Sequence, residues 1–139
     1  MGRENTFKKY LMEKMGTRWA AQSHEDQYSE GIPDVSFGAD GVNGWIELKQ
    51  IAYWPKREST LVKPAKYTPE QVNWLRKRNR MGGHCYVLIK VGSSHYFLFG
   101  ADAARKLANG VHKNFYFDDS IHWWSGSIDP AELIQLITT

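Results

Sequence analysis

The sequence predicts a single mixed α/β domain over residues 1–139, in which helices flank a central mixed β-sheet. Three observations support this prediction. Apolar residues recur at helical spacing in some segments, and in others they alternate along short runs that are separated by turn residues. The third observation is size, because 139 residues with 42% hydrophobic content supply enough apolar material for one core but not comfortably for two.

The first part of the chain predicts one helix, one short strand and a β-hairpin. Phe7, Leu11 and Met15 recur at helical spacing, and Gly16 ends the run. Residues 18–23 are expected to form a short strand. The runs IPDVSFG and WIELKQI come next, and the turn-like ADGVNG between them indicates that they pair as a hairpin.

The segment after the hairpin, residues 51–67, contains two prolines and several charges without a period. It predicts a long, mobile loop, and loops of this length often have a function. Thr68, Pro69 and Gln71 then begin a second helix as N-cap, first helical residue and capping-box glutamine. The elements expected after this helix are the strands HCYVLIKV and HYFLFG, a short helix over 101–108, the apolar-alternating piece NFYFDD, and a final helix over 129–137.

Composition restricts the function classes. No apolar run of 18 residues is present and the N-terminus leads into charged residues, so we expect a soluble, cytoplasmic protein with no membrane partner. Cys85 is the only cysteine, which excludes an internal disulfide and a cysteine-based zinc cluster. The histidines lack ligand-like spacing, and the serines beside His95 lack a nucleophile elbow, which argues against a zinc enzyme and a serine hydrolase.

The charge distribution is compatible with a face that contacts a polyanion. The net charge of +3 is a mild bias that many enzymes share. Basic residues cluster at 8–9, 56–57, 63–66 and 76–80, whereas acidic residues gather at 25–30 and 118–119. The alternative, equally open for the 76–80 run, is that these clusters are ordinary solvated faces.

Alternation along the two hairpin strands brings three charged side chains together. Successive strand residues point to opposite faces, so Glu47 and Lys49 share one face of their strand while Ile46 and Leu48 share the other. In the first strand of the hairpin, the Asp34 side chain points away from the apolar face. If the two apolar faces pack on the same side of the sheet, Asp34, Glu47 and Lys49 meet on the other side.

Two carboxylates beside an amine suit a definite chemistry. Carboxylate oxygens bind a hard cation such as Mg²⁺ or Mn²⁺, which can polarise a phosphodiester oxygen and lower the pKa of a water. A lysine can orient that water or stabilise the negative charge that develops on the phosphate. The alternative is a cross-strand salt bridge on a solvated sheet face.

The motifs GIPD, WIELK and TPEQVNWLR, followed by GGHCYVL, resemble the PD-(D/E)xK nuclease superfamily. They are similar to its VRR-NUC branch and to the related archaeal and phage Holliday-junction resolvases. The similarity runs from about residue 4 to residue 91 and depends on the order and spacing of motifs that are individually short. It implies a restriction-endonuclease-like core, and it suggests a stand-alone phage nuclease that acts in the host cytoplasm.

The resemblance also implies roles for individual residues. Asp34 and Glu47 would be the metal ligands, with the backbone carbonyl of Leu48 as a third. Lys49 would act on the attacking water. Glu4 matches an acidic residue that the superfamily often brings to the site from an N-terminal helix, although it also suits a helix N-terminus electrostatically.

Gln71 matches a glutamine that in the VRR-NUC branch reaches toward the site after the E-x-K strand. Its alternative role is to complete the capping box with Thr68. The candidate DNA-binding residues lie in the basic loop and on the second helix: Lys56, Arg57, Lys63, Lys66 and Arg76.

The resemblance therefore predicts an endodeoxyribonuclease that depends on Mg²⁺ or Mn²⁺. No separate recognition domain is evident, so we expect it to select DNA by shape and to cut branched DNA such as a Holliday junction or a flap. Two alternatives stay open. One is a sequence-specific restriction-type endonuclease, and the other is a DNA-binding module with an inactive nuclease fold.

The active species is expected to be a homodimer. One active site in a 16.0 kDa domain cannot readily make the two symmetric cuts that a four-way junction requires, and a two-fold axis supplies the second site. Interface material is predicted among the aromatic residues of the tail, which are Phe115, Tyr116, Phe117, Trp123 and Trp124. The alternative for each of them is burial in the core of its own chain.

Overall fold

A six-stranded mixed sheet is the centre of the computed structural model, which describes residues 3–25 and 31–139, with side chains from residue 6 onward at the N-terminus. The strands are β1 (Ala20–Ser23), β2 (Val35–Ala39), β3 (Val42–Ile51), β4 (His84–Val91), β5 (His95–Gly100) and β6 (His122–Ser125). They lie in the sheet in the order in which they follow one another along the chain. Every neighbouring pair is antiparallel except β3 and β4, which are parallel.

Turn chemistry and a crossover explain this arrangement. Asp40 and Gly41 connect β2 to β3, and both have positive φ angles, 49° and 81°, as a two-residue type I′ hairpin turn requires. The parallel pairing of β3 with β4 cannot be made by a tight turn. The chain instead crosses over through residues 52–68 and a helix.

The helices of the described residues are α1 (Arg3–Met15), α2 (Pro69–Arg80), α3 (Ala104–Asn109), α4 (Lys113–Asp119) and α5 (Pro130–Ile137). Two of them begin as the sequence predicts. Thr68 and Gln71 form a reciprocal capping box at the start of α2, and the Asp129 side chain accepts hydrogen bonds from the first turn of α5. None of the described helices has the length and apolar character needed to cross a membrane.

Helices cover both faces of the sheet. Residues of α1 and α5 pack against one face, which includes Ile46 and Leu48. Residues of α2, α3 and α4 pack against the other face, which includes Val87 and Ile89. The predicted mixed sheet with flanking helices is therefore confirmed, and the first two helices lie on opposite faces of it.

The structure corrects the prediction for NFYFDD, which forms the helix α4 instead of an alternating extended piece. Phe115, Tyr116 and Phe117 are consecutive, and all three contact aromatic rings of β5. Neighbouring residues of a strand point to opposite faces, so a strand could not direct all three rings to one surface. Tertiary contacts therefore override the local alternation.

Other differences concern element boundaries. A 3₁₀ turn over Gly16–Arg18 shortens the first predicted strand, so β1 begins at Ala20. The loop predicted over residues 51–67 loses Ile51 to the end of β3, whereas residues 52–68 lack helix and strand. The middle of this 52–68 segment is attached to the rest of the chain. The backbone groups of Val62 and Val111 exchange two hydrogen bonds, and the Val62 side chain is buried.

Candidate functional site

Asp34 immediately precedes β2, at the point where the hairpin register brings it beside Glu47. Val35 of β2 pairs with Ile46 of β3. Asp34, which precedes Val35, therefore lies beside Glu47, which follows Ile46. The Asp34 Oδ2 atom accepts a hydrogen bond from the backbone N–H of Leu48 at 2.8 Å. This bond fixes the Asp34 carboxylate next to the peptide that joins Glu47 to Leu48.

Gly31 allows the chain to approach α2 closely just before Asp34. Its φ angle is +88°, and a Cβ atom there would lie 2.6 Å from the carbonyl oxygen of Glu70. A larger residue would be strained in this backbone conformation and would also displace α2. The glycine thus sets the path of residues 31–34 between α2 and the sheet.

Glu47 and Lys49 form a buried ion pair on the face of β3 that α2 covers. The Lys49 Nζ atom lies 3.2 Å from Glu47 Oε2, and each side chain is only 2–3% exposed. On the neighbouring strand their register partners are the buried Val87 and Ile89. The alternative interpretation, a salt bridge on a solvated face, is therefore wrong.

The end of the 52–68 segment and the start of α2 enclose the Lys49 ammonium group. It donates hydrogen bonds to the carbonyl oxygen of Lys66 and to Gln71 Oε1, both at 3.0 Å. It also lies 4.8 Å from the centre of the Tyr67 ring, within reach of a cation–π interaction. Lys66 has a φ angle of +60°, which is uncommon for a non-glycine residue and directs its carbonyl to this contact.

Gln71 has two roles in the structure at once. Its Oε1 atom accepts a hydrogen bond from the backbone N–H of Thr68 at 3.0 Å, and the Thr68 hydroxyl accepts one from the Gln71 N–H. The capping-box interpretation is thus confirmed. The same Oε1 atom contacts Lys49, so the helix cap and the charged cluster are one hydrogen-bonded unit.

Burial makes a purely structural role for this pair energetically unfavourable. Removing two charges from water costs several kcal/mol per ion, roughly, and a buried ion pair often stabilises a fold no more than apolar residues of the same volume. Val87 and Ile89 show that apolar side chains fill the adjacent positions of the same face. Charged side chains at these two positions are therefore less favourable for folding than apolar ones would be, as is typical of a functional site.

Sequence reasoning did not identify Tyr67, which lies over the same cluster. Its side chain is 9% exposed, and its hydroxyl has no hydrogen-bond partner among the described residues. Burial raises the pKa of Tyr67 well above its usual value, and the charges of Glu47 and Asp34 raise this pKa further. The hydroxyl is thus a protonated donor at this cluster, and no local motif indicates it.

The oxygen donors at this site fit a hard divalent cation. The Asp34 carboxylate lies beside Glu47, and it has a second oxygen, Oδ1, besides the Oδ2 atom that accepts the Leu48 N–H. No group of three or more His, Cys, Asp or Glu side chains suited to a metal occurs within residues 6–25 and 31–139. Two carboxylates and a backbone carbonyl still suffice for Mg²⁺, which keeps several waters as ligands.

The other candidate residues are less closely associated with the cluster. Lys56, Arg57 and Lys63 are exposed in the 52–68 segment, whose end reaches the cluster through the Lys66 carbonyl. Arg76 is half-buried on α2. The Glu4 side chain lies outside the described residues.

One basic residue from the predicted clusters points inward. Lys8 is buried, and its Nζ atom donates hydrogen bonds to Ser23 Oγ at 3.1 Å and to the His24 carbonyl at 3.3 Å. It fixes β1 to α1. Lys8 is therefore removed from the face that could contact a polyanion.

Comparison with known proteins supports the fold independently. No protein-family model and no curated protein matches the sequence. The structure is similar to Hjc, a Holliday junction resolvase from the hyperthermophilic archaeon Archaeoglobus fulgidus, with a TM-score of 0.56 and 16% identity over 82% of this chain and 89% of that one. At this identity the similarity shows the fold alone, and membership of the PD-(D/E)xK superfamily stays a prediction. The VRR-NUC branch and the phage origin stay predictions.

The unsatisfied Tyr67 hydroxyl predicts that Tyr67→Phe stabilises the protein. Removal of a buried hydroxyl without a partner should raise the free energy of unfolding by about 1 kcal/mol. Tyr86→Phe is the matched control, because the Tyr86 hydroxyl donates to the Ile137 carbonyl at 3.3 Å, and its loss should lower the free energy by about 1 kcal/mol. Urea denaturation of both variants measures the two signs. Equal destabilisation would mean that Tyr67 has a partner.

Proposed function

We propose that this protein is a metal-dependent endodeoxyribonuclease that hydrolyses phosphodiesters of branched DNA. The observation that carries the proposal is the buried Glu47–Lys49 pair, with the Asp34 carboxylate beside it, on the fold of a Holliday junction resolvase. Hydrolysis adds one water across a P–O bond and leaves a phosphate end and a hydroxyl end. The substrate is a four-way junction or a flap.

Each side chain of the cluster has a role in this reaction. Asp34 and Glu47, with the Leu48 carbonyl, hold Mg²⁺ or Mn²⁺. When bound, the cation supplies Lewis-acid polarisation of a phosphodiester oxygen and lowers the pKa of a water. Lys49 orients that water or stabilises the negative charge that develops on the phosphate. Its contacts with Gln71 and the Lys66 carbonyl hold the ammonium group in position.

Two further residues complete the proposed centre. The Tyr67 hydroxyl donates a hydrogen bond to an oxygen of the bound phosphate or water, which satisfies the donor that is unpaired among the described residues. Glu4 is the additional acidic residue from the N-terminal helix. The exposed basic residues of the 52–68 segment contact the DNA backbone beside the centre.

A panel of labelled DNAs tests the proposal directly. Linear duplex, flap and four-way junction substrates are incubated with the protein alone, with Mg²⁺ and with Mn²⁺. Cation-dependent cutting of the branched substrates is the expected result. A fixed pattern on linear duplex would instead identify a sequence-specific endonuclease, and binding without cutting under every condition would identify a non-catalytic module.

The first functional prediction concerns the three charged residues. Asp34→Ala, Glu47→Ala and Lys49→Ala should each abolish cleavage, which here means that the cleavage rate falls at least about a hundredfold. DNA binding should survive in all three variants. Only the first two should also weaken Mn²⁺ binding in titration calorimetry, because lysine is not a ligand. Asp102→Ala and Lys106→Ala replace exposed charges on the same face and should cut normally. Wild-type cleavage by Glu47→Ala in Mg²⁺ would show that the proposed site is wrong.

The second prediction concerns the basic segment. Replacement of Lys56, Arg57, Lys63 and Lys66 by glutamine should weaken DNA binding and flatten its salt dependence. Each lost phosphate contact lowers the slope of log K against log salt by about 0.9 on duplex DNA.

The control for this variant is Lys9→Gln combined with Arg18→Gln, which removes exposed charges on and just after α1. Because α1 covers the opposite face of the sheet, the slope should be unchanged in the control. An unchanged slope in the four-residue variant as well would assign the basic segment to ordinary solvation.

The third prediction concerns the homodimer, which supplies the second active site for a four-way junction. Tyr116 and Trp124 are buried within their own chain, so they are not available for an interface. Trp123 and Ile121 are 40% and 45% exposed, at and beside the edge strand β6, and are the interface residues that we propose.

Sedimentation equilibrium at micromolar concentration should therefore give a dimer. Trp123→Gln should shift it toward the monomer, whereas Leu61→Gln, which changes an exposed apolar residue elsewhere, should not. A persistent wild-type monomer that nicks flaps would contradict the dimer, leave the nuclease proposal standing, and favour flaps over four-way junctions.

A further inference from the structure

An open groove of about 760 Å³ lies beside the proposed catalytic centre, at the end of the sheet where β3 and β4 begin. Residues of β1, β2 and β3 line one part of it, and the last turn of α2 and the glycines after it line another part. Sites of this volume usually hold a small ligand. The groove is thus large enough for a short stretch of one nucleic-acid strand.

The groove adjoins the centre directly. Ser36 and Trp45 line it, and they are register partners on β2 and β3. Each lies two residues along its strand from a proposed metal ligand, Asp34 or Glu47, which is about 7 Å at the usual rise of a strand. The basic 52–68 segment follows the opposite end of β3, so the centre lies between the groove and that segment.

Arg78 points a guanidinium group into this region from α2. Its central carbon lies 4.7 Å from the Trp74 ring centre and 5.7 Å from the Trp45 ring centre. The two indoles contact each other edge to face at 4.9 Å, and the His24 ring lies 5.0 Å from Trp45. This aromatic cluster supports the guanidinium by cation–π contacts and restricts its orientation.

The donors of Arg78 are unused within the part of the chain that the structure describes. No carbonyl, hydroxyl or carboxylate of residues 6–25 or 31–139 accepts a hydrogen bond from this side chain or forms an ion pair with it. Among those same residues, no Asp or Glu lines the groove, whereas Gln22, Ser36 and Asn43 do. Arg78 is exposed, and it packs against two indoles without a protein acceptor among the described residues. A planar group with five N–H donors in this position suits a phosphate that it can bind with two hydrogen bonds.

We propose that Arg78, supported by Trp45 and Trp74, is the binding site for a backbone phosphate within about two nucleotides of the phosphodiester that is cut. The groove takes the strand on that side of the centre. This inference rests on the proposed function for the identity of the polyanion. The rings of Trp45 already contact His24 and Trp74, so the cluster holds the arginine and does not stack on a base.

A phosphate-neutralisation scan tests the inference without any cleavage. A fluorescent flap DNA is prepared as a series in which each backbone phosphate of the strand near the branch is replaced in turn by an uncharged methylphosphonate. Binding is measured by anisotropy in the absence of divalent cation, for wild type, Arg78→Ala, Arg78→Lys and Arg80→Ala. Arg80 is the matched control, because it is an exposed arginine of the same helix that has no contact with the tryptophans.

For wild type and Arg80→Ala, neutralising one or two particular phosphates should weaken binding about tenfold, the usual effect of losing a charged hydrogen bond. Arg78→Ala should bind the unmodified DNA more weakly than wild type does. Neutralising those same phosphates should not weaken its binding further. Arg78→Lys should respond partially, because lysine keeps the charge but not the planar fork. With Mg²⁺ or Mn²⁺ added, the wild-type cut should lie within two nucleotides of the sensitive phosphates.

Other outcomes separate this inference from the proposed function. If Arg78→Ala keeps the wild-type pattern of sensitive phosphates while wild type cuts flaps, the phosphate site is wrong and the nuclease proposal stands. If the sensitive phosphates lie well away from the cut, the placement of the strand is wrong. If wild type neither binds nor cuts DNA, both proposals are overturned.

Discussion

A pair of opposite charges, Glu47 and Lys49, is buried on the central strand β3, and much of the surrounding structure compensates for it. Charges removed from water need close partners. The Lys66 carbonyl, in an uncommon backbone conformation, and the Gln71 side chain supply them to the lysine. The crossover segment and the start of α2 are therefore fixed against β3 by the same contacts that would position a catalytic lysine.

The proposed site would allow a chain with a net charge of only +3 to bind a polyanion. The carboxylates of the centre would be neutralised by a cation and by Lys49. Arg78 lies on one side of them, and the exposed bases of the 52–68 segment lie beyond the other end of β3. A strand that passes from the groove to this segment would meet positive charge before and after the centre, which is electrostatic complementarity through distribution rather than total charge.

The sequence predicted the shared face of Asp34, Glu47 and Lys49 because that face depends on alternation within two strands and on a two-residue turn that sets their register. It did not predict how deeply these side chains are buried. The same alternation suits a solvated salt bridge and a buried one, and burial depends on α2 and Tyr67, which come later in the chain. The alternation in NFYFDD gave a wrong prediction, because contacts with β5 make this segment the helix α4.

Local patterns thus sufficed for the hairpin, the capping box at Thr68 and most of the helices, since each depends on residues that are close together in the sequence. The site as a whole required the folded chain. Trp45 is 29 positions from Trp74 and 33 from Arg78 in the sequence, and these side chains meet only because α2 returns along β3 in the crossover between parallel strands. No periodicity in the chain records a contact of that kind, because it arises from the packing of one element on another.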